Sequence, residues 1–238
     1  MTADNPSAVN EPAFWQGLYD RREDGWELGQ PAPPLAEHLA RTPPSRGRVA
    51  VLGCGRGHDC RLLARAGYQV WGFDFTSQAI REAATLAKHE KLDIVFEQRD
   101  IFDLVADYRG FFDGVWEYTC FCAIDPTRRG EYVRLVREIL KPDGWLLACF
   151  YPLREGTDGP PFPTSEAELR RLFARHFTFV EAYEPGASVA PCCRCLRPLP
   201  TRRAETSCSR SRTSRRRSEG SGLFRASPSR CARESLSA

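Results

Sequence analysis

Residues 48–74 read RVAVLGCGRGHDCRLLARAGYQVWGFD, a stretch that holds a strand, a glycine-rich loop, a helix and a second strand. The apolar, partly β-branched run Val49–Leu52 fits a buried parallel strand. Gly53, Gly55 and Gly57 follow it, and glycine allows positive φ and a close approach of the backbone to a ligand. The pattern predicts a β–loop–α–β unit whose loop faces a nucleoside-containing ligand.

The spacing of the loop indicates which ligand. Dinucleotide-binding loops read G-x-G-x-x-G/A, whereas this loop reads G-x-G-x-G and is followed by His58. This spacing suits S-adenosylmethionine (AdoMet) better. Asp74, at the end of the second predicted strand, would accept hydrogen bonds from the ribose hydroxyls. The alternative is a tight turn between strand and helix that binds no ligand.

Strands and helices alternate through the rest of the chain, which predicts a doubly wound, mostly parallel α/β sheet. After the third predicted strand, Asp100 could read the adenine amino edge and Ile101 could cover its ring, although Asp100 could equally be a turn or cap residue. The further predicted strands are Ile94–Gln98, Phe111–Tyr118, Trp145–Tyr151 and Phe177–Tyr183.

Aromatic residues are concentrated near the N-terminus. Phe14, Trp15, Leu18 and Tyr19 have helical spacing, whereas Trp26 lies in a Gly/Pro-containing loop. One interpretation is a helix packed on the domain. The other is that Trp15 and Trp26 close over the cofactor, because aromatic faces attract a sulfonium cation.

Charge divides the chain into a mildly acidic part and a basic tail. Of the 238 residues, those from Pro191 onward include 12 Arg, no Lys and 3 Glu, a net charge of +9. The preceding residues carry 22 Lys and Arg against 28 Asp and Glu, a net charge of −6. We predict a disordered N-terminus at 1–10, a folded domain at 11–189 and a disordered Arg/Ser/Cys-rich tail at 190–238.

The location of the protein is predicted from its N-terminus and hydropathy. No apolar run reaches the length of a membrane span, and residues 1–10 are polar with no apolar signal region. These features predict a cytoplasmic protein without a membrane partner, whose cysteines are mostly reduced. We expect a monomer and no bound metal.

Several motifs in a fixed order carry a resemblance to a known family. They are Trp26–Gln30 (WELGQ), the glycine loop, Phe121–Pro126 (FCAIDP), Leu140–Gly144 (LKPDG) and Gly159–Phe162 (GPPF). On these motifs, residues 12–188 resemble class I AdoMet-dependent methyltransferases of the thiopurine S-methyltransferase group, and within it the thiol and halide methyltransferases. The resemblance implies a Rossmann-like class I methyltransferase sheet with AdoMet as cofactor.

The resemblance also implies the roles of individual residues. Tyr151 and the Gly159–Phe162 loop would border the acceptor pocket, and Tyr118 would lie with Glu117 where the fourth strand meets the cofactor. Tyr151 and Tyr118 are the catalytic candidates. The implied reaction is in-line methyl transfer to a thiol, sulfide or halide, which needs alignment and exclusion of water more than a strong base. The implied cofactor-binding residues are Trp26, Gly53, Gly55, Gly57, Asp74, Asp100, Ile101 and Glu117.

The chain departs from the family pattern after Val189. The family ends with an apolar antiparallel strand, whereas in this tail Leu223 and Phe224 are the only adjacent large apolar residues after position 200. We therefore expect the final strand to be missing, and we hypothesise a reading-frame change in the gene. Less favoured alternatives are zinc binding by the tail cysteines and RNA binding by its arginines.

Two other functions remain open. The first is an AdoMet-dependent methyltransferase whose acceptor is oxygen, nitrogen or a metalloid, since one fold hosts many acceptors. The second is a non-catalytic AdoMet-binding domain with a basic tail that binds RNA.

Overall fold

A computed structural model describes residues 6–154, 156, 158–186 and 220–228 of the chain. Short 3₁₀ helices lie at Pro6–Asn10, Ile101–Asp103 and Pro126–Arg128. The α-helices are α1 (Pro12–Arg21), α2 (Pro33–Arg41), α3 (His58–Arg65), α4 (Ser77–His89), α5 (Val105–Tyr108), α6 (Arg129–Ile139) and α7 (Glu166–Phe173). The strands are β1 (Arg48–Leu52), β2 (Gln69–Asp74), β3 (Ile94–Gln98), β4 (Phe112–Tyr118), β5 (Leu140–Leu153), β6 (Phe177–Tyr183) and β7 (Gly220–Pro228).

All these strands form one sheet in the order β3-β2-β1-β4-β5-β7-β6. Strands β1 to β5 pair in parallel, and β7 runs antiparallel to both of its neighbours. The predicted doubly wound, mostly parallel sheet is confirmed. The strand order reverses between β1 and β4, and open α/β sheets bind their ligands at the carboxyl ends of the strands beside such a switch point.

The central strand β1 shows why its sequence is continuously apolar. Val49 and Val51 face one core layer, whereas Ala50 and Leu52 face the other. Side chains alternate between the two faces of a strand, and helices cover both faces of this sheet. Residues 49–52 are therefore buried on both faces of β1, and the strand holds the following glycine loop in a fixed place.

The expectation that the final antiparallel strand is missing is wrong. Strand β7 inserts between β5 and β6, with Ala148 opposite Phe224 and Phe224 opposite Ala182. Leu223 packs into one core layer, and Phe224 packs into the other. A strand with few apolar side chains can occupy this inner position because its backbone N–H and C=O groups are paired with a strand on each side.

This correction also changes the domain boundary. The folded domain includes residues 220–228 and does not end at 189, so loss of the last strand no longer supports a reading-frame change. Residues 187–219 and 229–238 lie outside the described part of the chain. The predicted disorder of the tail, its zinc binding and its RNA binding fall on those residues.

The N-terminal prediction also needs correction. Residues 6–10 form a 3₁₀ helix, and the Val9 side chain is only 4% exposed. Trp15 Nε1 donates to the Val9 carbonyl oxygen at 2.8 Å, and Asn10 Nδ2 donates to Asp125 Oδ2 at 3.4 Å. These contacts fix the segment against the domain.

Among the described helices, none combines the length and apolarity needed to cross a bilayer.

Candidate active site

A cavity of about 750 Å³ lies at the carboxyl ends of β1, β2, β3 and β4. The N-terminal segment that includes α1 covers it. Its walls are mostly apolar, and its charged lining residues are Glu23, Asp74, Arg99, Asp100 and Arg128. Three carboxylates face two guanidinium groups, so the charge balance of the lining suits a cationic ligand.

The three loop glycines all adopt positive φ, but they serve different purposes. Gly53 lines the cavity, and Gly55 lines a smaller adjoining cleft. Gly57 does not line the cavity. A Cβ at Gly57 would lie 3.0 Å from Ala83 and from the Phe96 ring, so glycine is needed there to pack the loop on α4 and β3. Its predicted contact with the cofactor is not supported by the lining of the cavity.

Asp74 ends β2, lines the cavity and orders the glycine loop. Its Oδ2 accepts from the Gly55 backbone N–H at 2.9 Å. Its Oδ1 accepts from the Thr76 backbone N–H at 2.9 Å and from the Thr76 hydroxyl at 3.0 Å. Burial raises the pKa of Asp74, while these hydrogen bonds lower it. The carboxyl group therefore has a structural role besides the predicted one toward ribose.

The segment after β3 forms another part of the lining. Asp100, Ile101 and Phe102 all line the cavity. Asp100 Oδ1 also accepts from the Phe102 backbone N–H at 2.9 Å and caps a 3₁₀ helix, so the predicted cap role is confirmed as well. Arg128 lies over Phe102, with its guanidinium carbon 3.5 Å from the ring centroid, and also pairs with Glu131. Burial raises the pKa of Asp100.

Four N-terminal rings, which we call the aromatic wall, also line the cavity: Phe14, Trp15, Tyr19 and Trp26. Trp26 packs edge-on against Trp15 and Tyr19, with both pairs of ring centroids 5.5 Å apart. Trp26 Nε1 also donates to the Tyr19 hydroxyl oxygen at 3.4 Å. The rings thus brace one another. The helix packs on the domain as in the first interpretation, and Trp15 and Trp26 line the cavity, where their contact with the cofactor stays a prediction.

Charged groups fasten the N-terminal segment to the glycine loop. Arg56 donates to Glu27 Oε2 at 3.1 Å and also bonds to Asp24. His58 Nε2 lies 2.8 Å from Glu27 Oε1. Hydrogen bonds from His58 and Arg56 hold the pKa of Glu27 at about 2, against the opposing effect of burial. His58 therefore has the expected structural role, with Glu27 as its partner.

The two catalytic candidates, Tyr118 and Tyr151, both line the cavity. Two loops continue the lining beside them. Residues 119–124 contribute Thr119, Cys120, Cys122, Ala123 and Ile124, and the following Gly/Pro segment contributes Gly159, Pro160 and Pro161. We call these segments the 119–124 loop and the 159–163 loop.

Tyr118 lines the cavity, whereas the neighbouring Glu117 does not. Successive side chains point to opposite faces of a strand, so the two residues diverge. Tyr118 stacks with Trp116 on one side, whereas Glu117 is 1% exposed and lies among the residues of α6 on the other. Burial raises the pKa of Glu117 to about 7. Direct contact between Glu117 and the cofactor is therefore not supported.

The structure adds lining residues that the sequence did not predict, among them Phe75, Phe102, Cys120 and Arg128. Phe75 and Phe102 directly follow predicted residues at strand ends, so their position could have indicated them. Arg128 ends the 3₁₀ helix that precedes α6, and only the tertiary fold brings it to the cavity. Burial raises the pKa of the Cys120 thiol, which disfavours a thiolate there.

Comparison with known proteins identifies the family. The model of the thiopurine S-methyltransferase family matches residues 10–194 of the chain. The chain belongs to this family. The predicted family, the predicted class of AdoMet-dependent methyltransferases and the predicted cofactor are thereby confirmed. A probable thiol methyltransferase 2 of Arabidopsis thaliana is 30% identical over 168 residues, which cover 68% of this chain and 72% of that protein.

Two other similarities agree with this assignment. Thiocyanate methyltransferase 1 of Arabidopsis thaliana is 33% identical over 155 residues, covering 64% of this chain and 67% of that protein. The solved structure of a 1,6-didemethyltoxoflavin-N1-methyltransferase of Burkholderia thailandensis superposes with a TM-score of 0.67. It covers 96% of this chain and 91% of that one at 20% identity, so it supports the fold alone.

The lining fits AdoMet chemically. A loop of glycines, an acid after β2 and an acid with an apolar neighbour after β3 suit an amino acid, a ribose and an adenine in turn. The aromatic wall suits a sulfonium cation, because ring faces carry negative potential. We expect Gly53, Asp74, Asp100, Ile101 and Trp26 to hold the cofactor.

Proposed function

We propose that the family member transfers a methyl group from AdoMet to the sulfur of a small thiol or of hydrosulfide. The observation that carries the proposal is the composition of the cavity beside Tyr118 and Tyr151. The 119–124 loop and the 159–163 loop, which continue the lining there, contribute mostly small or prolyl side chains, with Cys120, Pro160 and Pro161 among them. Such a surface favours a small, polarisable and weakly hydrated acceptor.

The cavity arginines support the same acceptor class. Arg128 pairs with Glu131, and Arg99 pairs with Asp107. The lining positions next to both are Asp100 and Phe102, on the side predicted for adenine. Since each guanidinium already pairs with a carboxylate, we expect neither to serve as a dedicated partner for a carboxylate on the acceptor.

The chemistry requires little from the protein beyond positioning. When bound, AdoMet supplies an electrophilic methyl group on a sulfonium cation. A thiol is a strong nucleophile even when only a small fraction is ionised at neutral pH. Tyr118, Tyr151 and the aromatic wall exclude water and align the acceptor sulfur. Alcohols and amines of high pKa would need a base, and no histidine is found among the described residues that line the cavity. The three carboxyl groups of the lining already accept hydrogen bonds, Glu23 from Arg21, Asp74 from Gly55 and Asp100 from Phe102.

Halide or thiocyanate ions are the second candidate acceptors. The 33% identity to a thiocyanate methyltransferase favours them. These ions are soft and weakly hydrated, so the same apolar surface would admit them. Aromatic thiols such as thiopurines would require more room beside Pro160 and Pro161 than a small thiol does.

The test is an acceptor panel with the purified full-length chain. Hydrosulfide, a small alkyl thiol, thiocyanate, iodide and an aromatic thiol are compared with an alcohol and an amine, with S-adenosylhomocysteine as the measured product. We expect the highest kcat/KM for hydrosulfide or the alkyl thiol. A higher kcat/KM for the alcohol or the amine would overturn the proposal. A thermal shift caused by AdoMet serves as the binding control.

The location and the oligomeric state complete the proposal. The five cysteines that the structure describes are all free thiols, which supports the cytoplasm as the location. We also propose that the protein is a monomer with a small-molecule acceptor as its partner. Light scattering of the purified chain tests the monomer, and a dimer mass at micromolar concentration would contradict it.

A further inference from the structure

Glu117 is a buried carboxyl group with two specific hydrogen bonds. Its Oε1 accepts from the Phe121 backbone N–H at 2.8 Å, and its Oε2 accepts from the Tyr132 hydroxyl. Phe121 is 1% exposed, and Tyr132 is fully buried. Burial of a carboxyl group is costly, and the hydrogen bonds offset that cost. The group is thus a fixed point between β4, α6 and the 119–124 loop.

The conformation of the 119–124 loop depends on such a fixed point. Thr119 adopts φ of 64°, a left-handed value that a β-branched residue rarely takes. Further along the loop, the Ala123 backbone N–H donates to the Cys120 carbonyl oxygen at 2.9 Å. The Phe121 N–H lies within this tight turn, so its bond to Glu117 fixes the loop on the side that faces away from the cavity. On the other side of the loop, Thr119, Cys120 and Cys122 line the cavity.

The 159–163 loop is attached to the same structure. The Phe162 backbone N–H donates to the Cys122 carbonyl oxygen at 2.7 Å. Arg129 of α6 donates to the carbonyl oxygens of Phe162 and Pro163 at 2.9 and 3.0 Å. A displacement of the 119–124 loop would therefore move Phe162, and with it the prolines that line the cavity.

We propose that Glu117 is a positioning residue that fixes the acceptor side of the cavity through Phe121 and, beyond it, through Cys122 and Phe162. The inference rests on the proposed function, because that proposal assigns these two loops to the acceptor. It differs from the expected role of Glu117 in binding the cofactor, since the hydrogen bonds run through the backbones of Phe121, Cys122 and Phe162. The 119–124 loop also meets the cofactor side at Cys120, which packs against Gly53.

The kinetic test compares three variants of the full-length protein. Glu117→Ala removes the acceptor of the Phe121 N–H, and we expect kcat/KM for the thiol to fall by about 10- to 100-fold, mainly through KM, as for a small misplacement of a reacting group. The dissociation constant of AdoMet should change much less than the acceptor KM. Glu117→Gln keeps an oxygen toward Phe121 and restores most of the activity. Tyr132→Phe removes only one donor and has a smaller effect in the same direction.

The matched control is Asp113→Ala. Asp113 lies on the same strand and accepts from the Arg48 backbone N–H at 2.8 Å, but at the opposite end of the sheet. We expect this variant to lose stability without a change in acceptor KM. If Asp113→Ala and Glu117→Ala change KM equally, or if Glu117→Ala weakens AdoMet binding as much as acceptor binding, the positioning role is wrong.

A second measurement does not depend on the acceptor. Hydrogen exchange of the Phe121 and Phe162 amides should be faster in Glu117→Ala, or in Tyr132→Phe if that variant alone folds, and close to wild type in Glu117→Gln. Exchange that is unchanged at both amides would overturn the inference. If the wild-type chain methylates no thiol but the exchange result holds, the proposed acceptor fails while the positioning of the loops by Glu117 stands.

Discussion

The two sides of the sheet are assembled in different ways. On one side, β1, β2 and β3 follow one another along the chain with α3 and α4 between them. On the other side, β7 lies between β5 and β6, although residues 184–219 separate it from β6. The first side carries the glycine loop, Asp74 and Asp100. The second side carries the strand from which Tyr151 enters the cavity.

We expect the first side to determine the affinity for the cofactor and the β7 side to determine the stability of the fold. Parallel strands joined through a single helix bring their carboxyl ends together by local connections, so the cofactor residues are placed within short stretches of chain. Strand β7 pairs with strands that are distant in sequence. Such pairing loses more chain entropy than pairing between consecutive strands, and the packing of its side chains must offset that loss. Changes on the β7 side should therefore lower stability, and changes on the first side should lower AdoMet affinity.

The largest effect is expected from β7. Phe224 is 3% exposed and packs against Phe150 and Phe179, with ring centroids 5.5 and 6.0 Å away. Phe224→Ala should lower the free energy of unfolding by about 3–5 kcal/mol, as for other buried Phe→Ala changes. Chemical denaturation measures this. Where the variant remains folded, its dissociation constant for AdoMet should be that of the wild type.

Val180 provides the control. It lies on the neighbouring strand β6 and is 58% exposed, so Val180→Ala should change the free energy of unfolding by less than about 0.5 kcal/mol. Equal stability of the Phe224 and Val180 variants would mean that β7 does not occupy the inner position.

The sequence predicted the first side well because its signals are local. A run of apolar residues, a glycine loop and an acid at fixed spacing predicted β1, β2 and the position of Asp74. Strand β7 escaped prediction because its segment is mostly polar or glycine, and its pairing with β5 and β6 leaves no periodic pattern in the sequence. Hydropathy alone cannot show that two flanking strands supply the missing stabilisation.

The candidate site was predicted less completely than the fold. Asp74, Asp100, Ile101 and Tyr118 line the cavity as the resemblance implied. Glu117 does not line the cavity, because the alternation of a strand sends it to the face opposite Tyr118. Residues such as Arg128 could not be assigned from spacing, since the tertiary packing of α6 brings them to the cavity.

The next effect concerns Asp74. Asp74→Ala should weaken AdoMet binding by about 1.5–3 kcal/mol, the range for a hydrogen bond to a charged group, as measured by calorimetry. The structure adds that Gly55 and Thr76 lose their acceptor, so the melting temperature should fall as well. The exposed Asp103, just beyond the lining residues, gives the control Asp103→Ala, which should change neither quantity. An unchanged affinity in Asp74→Ala would remove Asp74 from the cofactor site.

A smaller effect is expected from the aromatic wall. Trp26→Ala should weaken AdoMet binding by about 0.5–2 kcal/mol, the range for a cation over a ring face. Trp26→Phe should recover part of that loss, because it keeps a ring between Trp15 and Tyr19. Trp71 packs against Phe111 and Phe112 away from the cavity, so Trp71→Phe should lower the melting temperature without changing the affinity. Equal affinities of the three variants would show that Trp26 does not cover the cofactor.

The smallest effect is a pH dependence on the β7 side. His38 is fully buried, its Nδ1 lies 2.9 Å from the Tyr183 hydroxyl, and its Nε2 has no hydrogen-bond partner in the described structure. Burial lowers the pKa of His38 below its usual 6.5. The unfolded chain therefore takes up a proton first, so the stabilising contribution is present above pH 6.5 and is lost as the pH falls through the folded pKa. The loss amounts to about 1.4 kcal/mol per unit of difference between the two pKa values.

The matching experiment follows the melting temperature from about pH 7 to about pH 5, the range in which histidine titrates. The wild type should lose stability more steeply than His38→Gln. Some slope should remain in that variant, because burial and nearby arginines also lower the pKa of His176. Parallel melting curves for wild type and His38→Gln would show that His38 is not held neutral beside Tyr183, and would leave the stability of the β7 side independent of pH at this position.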